Sequence, residues 1–179
     1  MVNRIADLLR EHGAVEFGDF TLASGVRSSY YINVKSAIIH PDVLMAIGAE
    51  IVKKTSFEVV AGVAVGGVPI AVATSIASNK PYAIIRNTEK SHGKSGKIIG
   101  DVRGREVLLV EDVTTSGGSV IAGIEALRAE GAVVDTVLTV VDREAGAAST
   151  LKKYGVRLLA LATAKEIVQV SSRNNHSMT

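Results

Sequence analysis

Residues 107–120 of the chain read VLLVEDVTTSGGSV, and this stretch carries the most specific pattern in the sequence. Four apolar residues, Val107–Val110, predict a strand buried inside a sheet. Two acids, Glu111 and Asp112, follow directly, and small residues then lead into a helix-like segment that begins at Ser119. The stretch therefore predicts a strand, an acid pair and a tight turn into a helix at one edge of a sheet.

The turn over residues 113–119 has the properties of an anion-binding cradle. Small residues allow backbone N–H groups to approach a phosphate, and a helix N-terminus adds a favourable partial charge. Hydroxyl groups in the turn can donate further hydrogen bonds; they belong to Thr114, Thr115 and Ser119. Glu111 and Asp112 would repel a phosphate, so we expect them to face sugar hydroxyls and a Mg²⁺ shared with the phosphates. The alternative is a solvated turn that Asp112 caps.

The remainder of the chain alternates between strand-like and helix-like segments. Strand-like segments rich in Val and Ile cover residues 59–65, 82–86, 133–141 and 157–162. Helix-like segments cover residues 2–12, 41–54, 68–78, 119–130 and 145–154. This alternation predicts a single α/β domain over residues 1–179, with a parallel sheet covered on both faces and ligands at the carboxyl ends of the strands. Residues 17–34 predict short strands and turns, and residues 171–179 a flexible tail.

Composition excludes several classes of site. Hydrophobic residues make up 47% of the chain and aromatic residues 4%, so the core is expected to consist of Val, Ile, Leu and Ala. The absence of cysteine excludes disulfides, thiolate metal sites and a cysteine nucleophile. A net charge of +2 gives no reason to expect nucleic-acid binding. Without a long apolar run or a signal-like N-terminus, we expect no membrane partner and a cytoplasmic location.

Other phosphate-binding and catalytic motifs do not fit. Gly93-Lys94-Ser95 lacks the earlier glycine of a Walker A loop, because Thr88 stands at that position. No G-x-G-x-x-G opens a helix after a strand, and neither H-E-x-x-H nor G-x-S-x-G occurs. The stretch at 107–120 thus remains the candidate site.

This stretch resembles the signature of type I phosphoribosyltransferases, which is a hydrophobic strand, two acids, two residues, then T-x-G and small residues. More narrowly, the chain is similar to the orotate phosphoribosyltransferase family from about Leu8 to Ala164. The segments that carry this similarity are FGDFTL at 17–22 with Ser24-Gly25, SYYIN at 29–33, Ile85-Arg86 with Lys90, His92 and Gly93, and VDRE at 141–144.

The resemblance implies a fold and a reaction. The fold is a central, mostly parallel sheet with helices on both faces and a small N-terminal hood region. The reaction is Mg²⁺-dependent transfer of a phosphoribosyl group from 5-phosphoribosyl 1-diphosphate (PRPP) to orotate, which gives orotidine 5′-phosphate and diphosphate in pyrimidine synthesis. The family resemblance also implies a homodimer in which the loop at 87–97 acts in the active site of the partner.

Residue roles follow from the same resemblance. The expected catalytic residues are Lys90, His92, Glu111 and Asp112. The expected PRPP-binding residues are Arg86, Lys90, His92, Glu111, Asp112, Val113, Thr114, Thr115, Ser116, Gly117, Gly118 and Ser119, with backbone N–H groups of residues 64–67 facing the diphosphate. Thr115 and Arg143 are expected at orotate, since a guanidinium suits a bidentate contact with a carboxylate. Mg²⁺ is expected mainly on substrate and water near Glu111 and Asp112.

The sequence departs from the family at three cations. Lysines that are common in the family are replaced by Ala23, Gly66 and Asn87, and Lys35 is a candidate replacement for one of them. Two alternatives concern single features. Arg143 could instead form a local ion pair with Glu144. The loop at 87–97, which we expect to close over a bound anion as a lid, could instead be a solvated basic loop.

Three rival functions also remain. They are transfer to a neutral base, which Arg143 disfavours, a regulator that senses the sugar diphosphate, and a scaffold without a ligand.

Overall fold

In a computed structural model of the chain, which describes residues 3–21, 25, 27–86 and 96–169, a six-stranded sheet is accompanied by a separate two-stranded sheet. Helix α1 (Arg4–Glu11) begins after Asn3, whose side-chain oxygen accepts hydrogen bonds from two backbone N–H groups of the first turn. Strands β1 (Val15–Thr21) and β2 (Arg27–Ile32) form the antiparallel two-stranded sheet, and the short helix α2 (Val34–Ile38) follows.

The large sheet and its helices come from the rest of the chain. In order, the elements are α3 (Pro41–Lys54), β3 (Val59–Val63), α4 (Gly67–Ser78), β4 (Tyr82–Ile85), β5 (Ile98–Ile99), β6 (Val107–Thr114), α5 (Gly118–Ala129), β7 (Thr136–Asp142), α6 (Ala147–Lys153), β8 (Arg157–Thr163) and α7 (Ala164–Gln169). The strand order is β5-β4-β3-β6-β7-β8, and every neighbouring pair is parallel except β4 with β5. The carboxyl ends of β4, β3, β6 and β7 therefore meet at one edge.

Two apolar layers cover the faces of the sheet. Helices α1, α2, α3, α4 and α7 pack on one face, where side chains such as Leu9, Ile47 and Ile70 meet Leu108 and Leu138. Helices α5 and α6 cover the other face, where Ile124 and Leu127 pack near Leu109. Phe57 is the one aromatic residue in the buried hydrophobic core of the described chain, which otherwise consists of Val, Ile, Leu and Ala. The expectation for the core composition is confirmed.

The predicted fold class is confirmed, and several boundaries are corrected. The strand expected at 133–141 begins only at Thr136, because Val133 forms a single bridge to Glu106 and is 47% exposed. The helix expected from residue 145 starts at Ala147, since Gly146 adopts a left-handed φ of 97°. Helices α2 and α7 and strand β5 were not predicted; each is too short for its periodicity to stand out in the sequence.

Helices α3 and α4 pack with their backbones in close contact at Gly48. A Cβ atom at this position would lie 2.7 Å from the carbonyl oxygen of Ala73. We expect Gly48→Ala to lower the free energy of unfolding by about 1–3 kcal/mol, because the overpacking outweighs the better helix propensity of alanine. Urea unfolding of the variant measures this change.

Gly123→Ala in α5 is the matched control. A Cβ atom there would meet the methyl group of Leu109 at 3.0 Å, and a side-chain end can move where a helix backbone cannot. This variant should stay within about 1 kcal/mol of wild type. Equal destabilisation of the two variants would contradict the close contact of α3 and α4.

Candidate active site

The carboxyl edge of the sheet collects most of the described residues that the sequence singled out. Arg86 follows β4, residues 64–67 follow β3, residues 111–119 end β6 and open α5, and Arg143 follows β7. Because β4, β3, β6 and β7 are consecutive neighbours in the sheet, these segments lie side by side. Ligands of open α/β sheets bind at such an edge.

The acid pair lies inside β6 rather than after it, which corrects the predicted end of this strand at Val110. Glu111 and Asp112 are each only 5% exposed. The Glu111 carboxylate accepts hydrogen bonds from the Asp112 N–H at 3.1 Å and from the Ser119 hydroxyl at 3.4 Å. Ser119 thus links the acid pair to the first turn of α5.

Lys35, on the short helix α2, forms an ion pair with one of these two acids. Its Nζ donates to Asp112 Oδ2 at 2.6 Å, although the two residues are 77 positions apart. The Lys35 side chain is 61% exposed, whereas that of Asp112 is 7% exposed. Lys35 therefore reaches the acid from the solvent side of the site. The sequence identified Lys35 as a candidate replacement cation but not its partner.

Burial and charge shift the protonation of this cluster. Burial and the neighbouring Asp112 together raise the pKa of Glu111 to about 8, against an opposing effect of the Lys35 cation. The hydrogen bond to Asp112 raises the pKa of Lys35, so this amine stays protonated. Near neutral pH the cluster thus holds a protonated Glu111 beside the Lys35 ammonium group, which is paired with Asp112.

The segment after β3 lies directly against Asp112. A Cβ atom at Gly66 would be 2.4 Å from both Cγ and Oδ2 of Asp112. The peptide bond between Ala64 and Val65 is cis. Gly66 and Gly67 are buried and lead into α4, whereas Val65 is 75% exposed. This backbone closes the β3 side of the acid pair, and a side chain at position 66 would require Asp112 to move.

The predicted phosphate cradle is an open turn at the start of α5. Gly117 has a φ of 92°, which a residue with a side chain rarely adopts. No side chain of the described residues caps the N-terminus of this 12-residue helix. Thr115, Ser116, Gly118 and Ser119 are exposed, so the free N–H groups of the first turn can be reached by a ligand.

Thr114 occupies a different environment from the rest of the cradle. It is the last residue of β6 and is only 2% exposed. Its hydroxyl has no hydrogen-bond partner within the part of the chain that the structure describes. The hydroxyl that the sequence assigned to the cradle surface is therefore buried beneath it.

Two backbone hydrogen bonds tie the cradle to the segment after β7. The carbonyl of Thr114 accepts from the N–H of Arg143 at 3.0 Å, and that of Thr115 accepts from the N–H of Ala147 at 3.1 Å. Arg143 is half-buried. No ion pair joins it to Glu144, although the structure describes both residues. The alternative of a local ion pair is not observed.

The base of the basic loop is fixed at the same edge. The N–H of Arg86 donates to the carbonyl of Lys97 at 2.8 Å, next to the antiparallel pairing of β4 with β5. Lys90 and His92, the expected catalytic residues of this loop, lie outside the described residues, as do Ala23 and Asn87. The two ends of the loop, Arg86 and Lys97, are thus held together beside β3.

The donors present fit a hard cation only in part. Carboxylate oxygens suit Mg²⁺, and the acid pair offers them. Among residues 3–21, 25, 27–86 and 96–169, however, no group of three or more Asp, Glu or His side chains is placed to hold a metal ion. A cation at this site would need further oxygens from a ligand or from water.

Similarity to known proteins identifies the class to which this chain belongs. A family model described as "Phosphoribosyl transferase domain" matches residues 34–173, so the chain belongs to this family. Orotate phosphoribosyltransferase from Methanoculleus marisnigri is 62% identical over 94% of this chain and 99% of its own. The crystal structure of orotate phosphoribosyltransferase from Aeropyrum pernix has a TM-score of 0.82 at 36% identity, and covers 94% of this chain and 98% of its own.

Within that class, the chain belongs to the orotate phosphoribosyltransferases, as its sequence indicated. The Mycobacterium tuberculosis orotate phosphoribosyltransferase in complex with PRPP is also similar, with a TM-score of 0.75 and 30% identity over 91% of this chain and 96% of its own. Across the residues that the structure describes, no helix has the length and apolar character needed to span a bilayer.

The raised pKa of Glu111 makes the stability of the ligand-free protein depend on pH. Between 4.5, the ordinary glutamate value, and about 8, the folded chain keeps a proton that the unfolded chain releases. The free energy of unfolding should therefore fall as pH rises through this range, by at most about 1.4 kcal/mol per pH unit for one proton. Urea unfolding in EDTA, compared for wild type and Glu111→Gln, measures it.

Glu111→Gln should remove this decline, because glutamine has no proton to lose. Glu50→Gln is the control, since Lys53 lowers the pKa of the Glu50 carboxyl and that group gives no decline between pH 5 and 8. Parallel curves for wild type and Glu111→Gln would show that Glu111 titrates normally.

Proposed function

We propose that the chain catalyses the Mg²⁺-dependent transfer of a phosphoribosyl group from PRPP to orotate, giving orotidine 5′-phosphate and diphosphate for pyrimidine biosynthesis in the cytoplasm. The main support is the combination at one sheet edge of an uncapped helix N-terminus, a buried acid pair and an arginine tied to the same turn. Phosphate, ribose hydroxyls and a base carboxylate are the groups that these three features suit.

The first turn of α5 is the proposed site of the 5′-phosphate. Residues 115, 116, 118 and 119 are exposed, and the helix dipole favours an anion at the backbone N–H groups of this turn. Glycine at 117 permits the left-handed backbone that this turn needs. The exposed side chains of Thr115 and Ser116 add donors, so the cradle can replace much of the water around a phosphate.

The acid pair is the proposed partner of the ribose. Asp112 and Glu111 sit beneath the cradle, where they can accept hydrogen bonds from the ribose hydroxyls and orient water on the metal. A bound Mg²⁺ would neutralise charge that develops on the departing diphosphate. Breaking the bond at the anomeric carbon gives an oxocarbenium-like transition state, and the fixed Asp112 carboxylate nearby stabilises it electrostatically.

The diphosphate is proposed to lie over residues 64–67. These residues lead into the N-terminus of α4, whose backbone N–H groups offer anion contacts without a side chain. Arg86 adds a cation from the neighbouring strand end. Lys90 and His92 of the partner subunit are proposed to complete the charge around the leaving group, because the family resemblance implies a loop that acts in trans.

Arg143 is the proposed determinant of orotate, with Thr115 beside it. A guanidinium binds a carboxylate bidentately, and a neutral base offers no such partner. We expect Arg143→Ala to raise the KM for orotate by about 10- to 100-fold, the scale of one charged hydrogen bond, and to change the KM for PRPP much less. Steady-state absorbance assays of orotate consumption measure both constants.

Arg157→Ala is the matched control, because Arg157 begins β8 at the amino ends of the strands, away from the site, and its replacement should leave both constants unchanged.

Asp112→Asn should depress kcat strongly, since an amide has no negative charge and only one acceptor oxygen for the ribose hydroxyls. A screen with orotate, uracil, hypoxanthine and adenine tests the assignment itself. Turnover of a purine alone, or no binding of PRPP, would exclude it.

A homodimer is the second part of the proposal. Helices α3 and α4 border an apolar groove of about 580 Å³ lined by Leu44, Val68 and Val72 among others. Met45 is 73% exposed and Ile76 78% exposed on this face, and contiguous apolar surface of this kind marks an interaction site. The groove begins at Val68, next to residues 64–67. A second copy seated here would therefore stand close to the site, as a loop acting in trans requires.

The double variant Met45→Glu/Ile76→Glu should be monomeric in analytical ultracentrifugation, because charges on both helices oppose burial of the groove. Its turnover should fall as the dimer is lost, since each site then lacks the partner's Lys90 and His92. Val133→Glu, at an exposed apolar residue elsewhere, should remain dimeric and active. A monomeric wild type, or a dimeric double variant, would refute this interface.

A further inference from the structure

The exposed lysine on α2 has a role that the family resemblance does not assign. We propose that Lys35 is an exchangeable counter-ion: it neutralises Asp112 in the ligand-free site and moves to the diphosphate of PRPP when the ribose hydroxyls take its place. This inference rests on the proposed function, because it requires that PRPP binds over residues 64–67.

The first support is the position of Lys35 between Asp112 and solvent. Its Nζ is 2.6 Å from Asp112 Oδ2, and its side chain is 61% exposed while that of the acid is 7% exposed. On the β3 side, the backbone of Gly66 leaves no space, since a Cβ atom there would be 2.4 Å from the carboxylate. A hydroxyl that approaches Asp112 Oδ2 from the solvent side therefore competes with the ammonium group.

The second support is a fixed base with a long side chain. Val34, Ala37 and Ile38 of α2 are buried in the core, and Ser36 donates to the carbonyl of Gly13 at 3.1 Å. The Cα of Lys35 is thus anchored, whereas its flexible four-carbon stem can redirect the charge without backbone movement. An exposed lysine loses little interaction free energy when one anionic partner replaces another.

The third support is charge balance at position 66. The family often carries a lysine there, whereas this chain has Gly66 packed against the acid. In this chain the cation nearest to Asp112 comes instead from Lys35. On ligand binding, one ammonium–carboxylate pair is exchanged for an ammonium–diphosphate pair and hydroxyl–carboxylate hydrogen bonds. The number of buried charges without a partner does not increase.

Binding of two ligands that differ only in the diphosphate tests this exchange. Calorimetric titrations compare PRPP with ribose 5-phosphate, both with Mg²⁺ and without orotate, so that no turnover occurs. Lys35→Met should weaken PRPP binding by about tenfold or more, the scale of one charged hydrogen bond, and leave ribose 5-phosphate binding unchanged or tighter. Lys35→Arg should restore part of the PRPP affinity.

Lys53→Met serves as the control, because Lys53 forms an exposed ion pair with Glu50 and lies outside the site. Lys35→Gln provides a second neutral variant, and urea unfolding verifies that each variant is folded. Equal PRPP affinity in Lys35→Met and wild type would overturn the exchange. So would equal weakening of both ligands, which would make Lys35 a fixed support of Asp112. If wild type itself does not bind PRPP, the proposed function fails first.

Discussion

The burial of two adjacent carboxylates in the central strand is the constraint on which this site depends. A buried charge without a partner is strongly destabilising, so Glu111 and Asp112 need compensation. Asp112 receives it from the Lys35 cation at 2.6 Å, and Glu111 from a proton that its raised pKa retains. The acid pair together with Lys35 is thus nearly neutral before any ligand arrives. That balance lets acceptors for sugar hydroxyls stand next to an anion-binding turn.

The fold class could be predicted from the hydrophobic pattern of this one sequence. Runs of Val and Ile alternating with helix-like segments predicted a parallel sheet covered on both faces, and the buried residues of β3, β6 and β7 match that prediction. Boundaries were less predictable. The strand β6 continues through two acids because its neighbours bury them, and residue type alone suggests that a strand ends where charge begins.

The cradle and the acid pair could be predicted because their residues are consecutive in the sequence. Contacts between distant segments could not be predicted. The pairing of Lys35 with Asp112 spans 77 positions, and the approach of Gly66 to the same carboxylate depends on how β3 and β6 lie together. The environment of Thr114 was also not predictable. The sequence grouped it with exposed hydroxyls, but as the last residue of the mostly buried strand β6 it is only 2% exposed.

The hydrogen bonds from Arg143 and Ala147 to the carbonyls of Thr114 and Thr115 have a thermodynamic consequence. They join the backbone of the turn after β6 to that of the turn after β7, so the two turns form one hydrogen-bonded unit. A ligand that orders either turn reduces the conformational entropy that a second ligand must remove from the other. For two ligands bound at these turns, this linkage favours positive cooperativity without any change in the shape of the fold.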